Sequence, residues 1–448
     1  MQDIDLLVRP RWLIPVQPEG AALEAHALAV HEGRILAVLP AAEAERLYRP
    51  AQTIDLADHA VLPGFINLHT HAAMSLMRGM ADDLPLMRWL SEHIWPAEGA
   101  SVSEEYVADG LRLACAEFIR GGQTCFNDMY FFPETAAEIV GEAGLRAALG
   151  LIVIDFPTPY ASDADDYLHK ALACHDRIKH RGDLYPVFAP HGPYTVSDAP
   201  LKRIRAYANE LGVPIHMHVH ETADEVQQQL RSSGQRPLER LEALDLLGND
   251  FIAVHMTQLT DEEIALVARY GVSVAHCPQS NLKLASGFCP VAKLLEAGVN
   301  VGIGTDGAAS NNDLDMLEEM RTAALLAKAV AGQPSAVAAP RALHMATLAG
   351  ARALGVNHEL GSLEAGKAAD FIAIDLSDAA TQPVYNPIAQ IVYSAARHQI
   401  TDTFVAGQPL MRNRQLLSVD AEAAIARAAY WQQRLQPFAA HDSGSDIQ

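Results

Sequence analysis

Residues 60–71 read Ala60-Val-Leu-Pro-Gly-Phe-Ile-Asn-Leu-His-Thr-His71, an apolar segment that ends in two histidines separated by one residue. The apolar part is typical of a buried β-strand. Residues two apart in a strand face the same side, so the imidazoles of His69 and His71 can converge on one metal ion. An H-x-H pair alone is weak evidence for a metal site, and its position at the end of a strand gives it weight.

Short apolar runs of this kind recur through the middle of the chain, near 60–67, 122–128, 145–154, 184–190, 213–219, 250–255, 271–276 and 299–304. Helical patterns separate most of them, with apolar residues spaced by three and four in Leu111 to Ile119, Asp165 to Ile178, Pro200 to Leu211 and Asp261 to Tyr270. This alternation predicts the α/β class and a (β/α)8 TIM-like barrel over residues 62–360. A doubly wound open sheet is the competing layout, but no G-x-G-x-x-G motif follows any run.

The segments that flank the barrel have a different pattern. Residues 1–61 contain alternating stretches such as Ala27 to Val38, and residues 361–438 contain further short strands and a terminal helix. Neither segment is long enough to bury a sheet alone, so we expect them to form one small composite β-sandwich domain. Residues 439–448 are expected to form a flexible tail.

Three later runs also end in residues that can bind a metal. The fifth ends Pro214-Ile-His-Met-His-Val-His-Glu221, the sixth ends in His255, and the eighth is followed by Asp306. Active sites of such barrels collect at the C-terminal ends of the strands, so these side chains should meet His69 and His71. A lone histidine on an apolar segment is more often a hydrogen-bonded core residue. That interpretation is kept for His26, His59, His344 and His398.

This combination resembles the amidohydrolase superfamily, whose barrels hold one or two divalent metals. The resemblance implies four metal ligands, which are His69, His71, His218 and Asp306. His218 is preferred to His216 and His220 because it precedes Glu221 by three residues, as in the H-x-x-E of the deaminase branch. His216 has the same side-chain parity as His218, and a supporting role beside the ligands is open to it.

The resemblance also bears on the metal and on catalysis. Two-metal members carry a bridging Lys or Glu where this chain has Pro190 to Tyr194, which implies one divalent ion per chain, with Zn²⁺ as the expected metal. Such an ion lowers the pKa of a water ligand to about 7. A deaminase then needs Glu221 to protonate the substrate ring, and Asp306 and His255 to move the water's proton to ammonia. The alternative for Glu221 is a solvated acid at the start of a helix.

The similarity to one branch, the 5-methylthioadenosine/S-adenosylhomocysteine deaminases, lies in Leu62 to Glu98, His191 to Ser197, His218 to Thr222 and Gly304 to Asn312. In that branch the acid of W-P-x-E binds the ribose hydroxyls and the histidine of H-x-P-Y contacts the purine. These residues are Glu98 and His191 here, and a carboxylate suits a vicinal diol. Trp89, Ser310 and Glu221 are the other substrate-binding candidates, with packing on the barrel as the alternative for Trp89.

The substrate that we expect depends on one difference between this sequence and the members of the branch. Members that bind the homocysteine carboxylate use arginines after the third strand, but residues 147–176 contain none. We therefore expect hydrolytic deamination of 5′-methylthioadenosine to its inosine analogue and ammonia, with adenosine or S-adenosylhomocysteine as secondary substrates. The alternatives are a guanine, pterin or triazine aminohydrolase or chlorohydrolase, for which Glu98 would have no diol, and a catalytically silent barrel that acts as an assembly protein.

Composition limits the partners. Lys plus Arg is 33 and Asp plus Glu is 55, and the resulting net charge of −22 disfavours nucleic acid and anionic membranes. The five cysteines are scattered, without a C-x-x-C pair, and this favours a reducing cytoplasm over a disulfide framework. No run of about 18 apolar residues predicts a membrane span. A small-molecule substrate is expected, and a homo-oligomer is left open.

Overall fold

The computed structural model describes residues 1–439, so the predicted flexible tail at 439–448 lies outside the described residues apart from Ala439. Within that range the strands are β1 (Gln2–Leu13), β2 (Leu23–Glu24), β3 (His26–His31), β4 (Arg34–Pro40), β5 (Tyr48–Pro63), β6 (Phe65–Thr70), β7 (Gln123–Asp128), β8 (Arg146–Val153), β9 (Leu184–Pro190), β10 (Ile215–Val219), β11 (Phe251–His255), β12 (Ser273–His276), β13 (Val301–Ile303), β14 (Phe371–Asp375), β15 (Ile400–Val405), β16 (Gln408–Arg412) and β17 (Gln415–Leu416).

The α-helices in the same part of the chain are α1 (Ala41–Leu47), α2 (Leu86–Trp89), α3 (Trp95–Ser101), α4 (Glu104–Arg120), α5 (Pro133–Ala143), α6 (Ala164–Ile178), α7 (Asp198–Leu211), α8 (Ala223–Ser233), α9 (Pro237–Ala243), α10 (Asp261–Tyr270), α11 (Pro278–Lys283), α12 (Val291–Glu296), α13 (Ala308–Asn311), α14 (Met316–Ala331), α15 (Ala339–Met345), α16 (Leu348–Ala353), α17 (Pro387–Tyr393) and α18 (Ala421–Leu435). Ala72–Met77, Arg397–Gln399 and Gln436–Phe438 are short 3₁₀ helices, and Leu90–Ile94 is a π-helical turn.

Strands β6 to β13 form a parallel sheet in chain order that nearly closes on itself. Between its first and last strands, the N–H of Asp306 donates to the carbonyl oxygen of His69 over 3.0 Å. Two hydrogen bonds of 2.8 and 3.0 Å also join the side chain of Asn67 to Thr305. All residues of β6, β7 and β8 are buried, as expected for parallel strands covered on both faces. The predicted (β/α)8 barrel is confirmed.

The first apolar run, at 60–67, covers parts of two strands rather than one. Its first half ends β5, which belongs to a different sheet, and its second half begins β6 of the barrel. Gly64 separates the two strands, and a Cβ there would lie 2.2 Å from the side chain of Thr124. Both halves are equally apolar because both are buried, so hydrophobicity alone does not mark the point where the chain changes sheets.

Helix ends follow the capping residues. α10 has the predicted bounds, because Thr260 and Glu263 form a capping box and Gly271 ends the helix at a φ of 69°. α4 begins seven residues before the predicted Leu111, since Ser103 accepts a hydrogen bond from the N–H of Tyr106 and caps it there.

Strands from both ends of the chain form a second, nine-stranded sheet. Its central strand β5 pairs parallel with β1 and antiparallel with β14, which joins the N-terminal and C-terminal segments. Phe371 and Phe404 stack within it, with ring centroids 4.4 Å apart. A buried ion pair of 2.7 Å between Arg146 and Asp370 links this sheet to the barrel. The predicted small β domain built from both ends is confirmed; eight of its nine strands follow one hydrogen-bonded path, and β2 pairs with β1 beside it.

The C-terminal helix α18 packs against α4 of the barrel. The indole N–H of Trp431 donates to Asp109 over 2.8 Å, and its ring meets Tyr106 edge-on at 5.1 Å. None of the helices in residues 1–439 combines the length and the apolar character needed to cross a bilayer.

Candidate active site

The predicted ligands and the predicted catalytic residue His255 meet at the C-terminal ends of β6, β10, β11 and β13. His69 Nε2 and His71 Nε2 each lie 3.3 Å from Asp306 Oδ1. His218 Nε2 lies 3.2 Å from His69 Nε2. The ligand atoms of His69, His71 and Asp306 lie within 4.8 Å of one another, as do those of His69, His218 and His255. We call these five side chains the histidine cluster.

Hydrogen bonds to the outer ring nitrogens orient the imidazoles. His71 Nδ1 donates to the carbonyl oxygen of Met129 over 2.6 Å, and His218 Nδ1 donates to that of His191, also over 2.6 Å. A carbonyl oxygen only accepts, so these Nδ1 atoms carry a proton, and the Nε2 atom of each ring faces the cluster. This is how metal-ligating histidines are normally held.

The two histidines of β10 and His220, which follows the strand, have different environments. His218 points into the cluster, whereas His216 lies behind His69, with Nε2 3.0 Å from His69 Nδ1. His220 turns away at a φ of 55°, and its Nε2 accepts a hydrogen bond from the N–H of Leu238. This arrangement gives His216 the place of a supporting neighbour and keeps His220 out of the site.

Burial favours the neutral imidazoles of His69 and His191. It lowers the pKa of His69 to about 4, although the hydrogen bond with Asp306 opposes the change. It also lowers the pKa of His191 to about 3. Neutral imidazoles have the lone pairs that a divalent metal needs, so the protonation state at neutral pH fits a metal site.

Glu221 lies beside the cluster and is 5% exposed. Its Oε2 is 3.8 Å from His255 Nε2. Burial, with a further contribution from the negative charge of Asp306, raises the pKa of Glu221 to about 8. Thr222 is the residue that caps α8, by accepting from the N–H of Glu225. Glu221 is therefore a buried acid of the cavity rather than a solvated acid of the helix start.

A cavity of about 640 Å³ opens over the cluster and contains every predicted substrate-binding residue: Trp89, Glu98, His191, Glu221 and Ser310. Most of its remaining wall is apolar, including Trp95, Phe131, Ile152 and Phe156. Within residues 1–439, no Arg or Lys side chain lines this cavity. A carboxylate-bearing ligand would therefore find no permanent positive charge on its walls.

Glu98 is a buried carboxylate in this wall. Tyr130 Oη donates to its Oε1 over 2.9 Å, which leaves Oε2 for a ligand. Burial raises the pKa of Glu98 to about 7, and the hydrogen bond from Tyr130 opposes the rise. The sequence reasoning missed Tyr130, although its position just after β7, at the C-terminal end of a barrel strand, is a signal that could have identified it.

Two further neighbours of the cluster were also missed. Ser280 Oγ donates to Asp306 Oδ2 over 2.7 Å, and His255 Nδ1 donates to Asn281 Oδ1 over 2.8 Å. Both residues lie on α11, which follows the seventh barrel strand, β12. They are small and neutral, so neither their type nor their spacing distinguishes them from ordinary helix residues.

The arrangement of the site is consistent with a comparison of the sequence with known protein families. The family model described as "Amidohydrolase family" matches residues 60–410. The chain belongs to the amidohydrolase family. The resemblance predicted from its motifs is thereby confirmed.

This amidohydrolase is 48% identical over 432 residues to the "5-methylthioadenosine/S-adenosylhomocysteine deaminase" of Saccharophagus degradans, covering 96% of this chain and 97% of the relative. Among solved structures, an adenosine deaminase from Xanthomonas campestris with bound zinc is 50% identical, with a TM-score of 0.96 and coverage of 97% and 99% of the two chains. An atrazine chlorohydrolase from Arthrobacter aurescens, 23% identical over 95% and 99% of the two chains, shares the fold with a TM-score of 0.88.

Proposed function

We propose that this amidohydrolase is a metal-dependent deaminase that converts 5′-methylthioadenosine and water to the inosine analogue and ammonia. The observation that carries the proposal is the buried histidine cluster with Glu221 beside it, under a cavity that also contains Glu98. Relatives of similar length that carry the name of this deaminase support the same reaction. The intact cluster argues against a catalytically silent barrel.

We assign metal binding to His69, His71, His218 and Asp306. The donor set fits a divalent cation, since Nε2 lone pairs and one carboxylate oxygen face a common centre. When bound there, an ion such as Zn²⁺ lowers the pKa of a water ligand to about 7 and so supplies a nucleophile at neutral pH. The zinc reported for the adenosine deaminase of Xanthomonas campestris supports this choice of metal. We expect one ion per chain, because Pro190 to Tyr194 supplies no bridging side chain.

Different residues around the metal site carry out different proton transfers. Glu221 is protonated below its pKa of about 8 and gives its carboxyl proton to the ring nitrogen beside the attacked carbon. His255 Nε2, with Nδ1–H held by Asn281, accepts a proton from the attacking water. His255 and Asp306 pass that proton to the departing amino group. The water oxygen stays on the ring carbon, and the second water proton replaces the one that Glu221 gave.

The rest of the cavity favours an adenine nucleoside without a carboxylate. The free oxygen of Glu98 and its hydrogen-bonded partner oxygen suit a ribose diol. His191 lies over the cluster, where it can contact the purine, and Trp89 and Ser310 add wall contacts. The absence of Arg and Lys from the described wall supports 5′-methylthioadenosine over S-adenosylhomocysteine. A free guanine, pterin or triazine would not use Glu98.

We also propose a cytoplasmic setting with a small-molecule substrate and no nucleic-acid partner. All five cysteines are buried and free, which suits a reducing compartment, and the net charge is −22.

The test is an ammonia-release screen with the zinc-loaded protein. The panel contains adenine nucleosides, free purine bases, a pterin and a triazine, with metal content measured on the same sample. We expect 5′-methylthioadenosine to be the best substrate, at one ion per chain. Turnover confined to a free base, a pterin or a triazine would contradict the proposed reaction, and two tightly bound ions per chain would contradict the expectation of one ion.

A further inference from the structure

The first turns of α11 lie under the histidine cluster. This helix begins at Pro278, two residues after β12 ends, and its Ser280 and Asn281 are both buried. Because the two residues are consecutive, their side chains leave the helix in different directions, about 100° apart. One reaches Asp306 and the other reaches His255.

Ser280 holds one oxygen of the Asp306 carboxylate. Its Oγ donates to Oδ2 over 2.7 Å, whereas Oδ1 accepts from the N–H of Gly307 over 2.8 Å and faces the cluster histidines. A rotation of the carboxylate would break both hydrogen bonds, and bonds to an ionised acceptor are stronger than neutral ones. Ser280 thus helps to fix the orientation of the Asp306 carboxylate toward the cluster histidines.

Asn281 holds the ring of His255. The distance from His255 Nδ1 to Asn281 Oδ1 is 2.8 Å, and an amide oxygen only accepts, so Nδ1 carries the proton. The lone pair of Nε2 then faces Glu221 and the cluster. His255 also has a φ of 73°, a left-handed conformation that a residue with a side chain rarely adopts.

We propose that Ser280 and Asn281 are positioning residues for the deamination, a role that rests on the proposed function. Ser280 holds the Asp306 carboxylate with Oδ1 toward the cluster histidines, and Asn281 sets the tautomer of His255 that accepts the water's proton. Neither side chain lines the substrate cavity, so their loss should affect the chemical step rather than substrate binding.

The kinetic test uses Ser280→Ala and Asn281→Leu, with Gln279→Ala as the matched control. Gln279 is on the same turn, but its side-chain amide contacts Thr322 instead of the cluster. We expect kcat for 5′-methylthioadenosine to fall about 10- to 100-fold in each variant, with KM changed by less than about 3-fold. The control should keep its kcat. A rise in KM at unchanged kcat, or an equal loss in the control, would overturn the positioning role.

A second readout does not depend on turnover. In the metal-free protein, ¹⁵N NMR of the His255 ring, assigned with a His255→Gln variant, reports which nitrogen carries the proton. We expect the Nδ1–H tautomer in the unsubstituted protein and in Asn281→Asp, whose carboxylate also accepts, and a mixture in Asn281→Leu. The same tautomer in Asn281→Leu would overturn the role of Asn281. If no adenine nucleoside is deaminated, the proposed function fails, and the tautomer result still decides whether Asn281 sets the ring.

Discussion

The inner and outer ends of the cavity are built in opposite ways. At the inner end, His71 and His218 are each held by a backbone carbonyl, so each of these two rings has a fixed orientation. At the outer end, Trp95 and Phe156 form an apolar wall with ring centroids 6.0 Å apart, and Glu98 is a carboxylate with a single protein hydrogen bond. We infer from this difference that the inner end determines which reaction takes place and that the outer end selects the substrate.

The largest effect should come from removing the buried acid of the inner end. Glu221→Gln keeps the shape of the side chain but lacks the carboxyl proton. We expect turnover of 5′-methylthioadenosine to fall by at least about 100-fold, the scale of a lost general acid–base group, with metal content unchanged. Steady-state kinetics and metal analysis on one preparation check this. Near-normal turnover would remove Glu221 from the proton transfers.

At the outer end, Glu98→Ala should affect nucleosides alone. Loss of hydrogen bonds between a carboxylate and a ribose diol costs about 1.5–3 kcal/mol, so we expect kcat/KM for 5′-methylthioadenosine to fall about 10- to 100-fold. The free base adenine, which has no ribose, is the matched substrate control, and its low rate should not change. An equal loss with both substrates would assign Glu98 to the chemistry of the inner end.

Substrate preference tests the apolar wall directly. The described wall has no Arg or Lys for a homocysteine carboxylate. We therefore expect kcat/KM for S-adenosylhomocysteine to be up to about 10- to 100-fold below that for 5′-methylthioadenosine. This ratio corresponds to the free energy of one missing charge-assisted hydrogen bond. Competition between the two nucleosides in one reaction measures the ratio. A ratio that favours S-adenosylhomocysteine would mean that a group outside the described wall binds its carboxylate.

The smallest effect is on stability. Burial raises the pKa of Glu98 from 4.5 to about 7, so folding favours its protonated form. Its stability contribution is fully present below pH 4.5 and is lost as the pH rises through 7. Relative to Glu98→Gln, the metal-free protein should therefore lose about 2 kcal/mol of unfolding free energy between pH 5 and pH 8. Urea denaturation at both pH values measures the difference, and a pH-independent difference would show that Glu98 titrates normally.

More of the inner end of the cavity than of the outer end could be predicted from the sequence. His69, His255 and Asp306 could be placed because barrel strands bring their C-terminal ends together, and these side-chain types bind metals. The boundary at Gly64 could not be placed, because the end of β5 and the start of β6 are both buried and equally apolar. Tyr130 and Ser280 donate hydrogen bonds to Glu98 and Asp306, and such contacts depend on tertiary packing rather than on a local pattern.

The most direct test of the central claim is the reaction of the zinc-loaded protein with 5′-methylthioadenosine in water enriched in ¹⁸O. Hydrolytic deamination predicts an inosine analogue that carries one ¹⁸O on the ring carbon, one ammonia per product, and loss of both when a chelator removes the metal. Unchanged substrate, or a product that forms at the same rate after metal removal, would contradict the account.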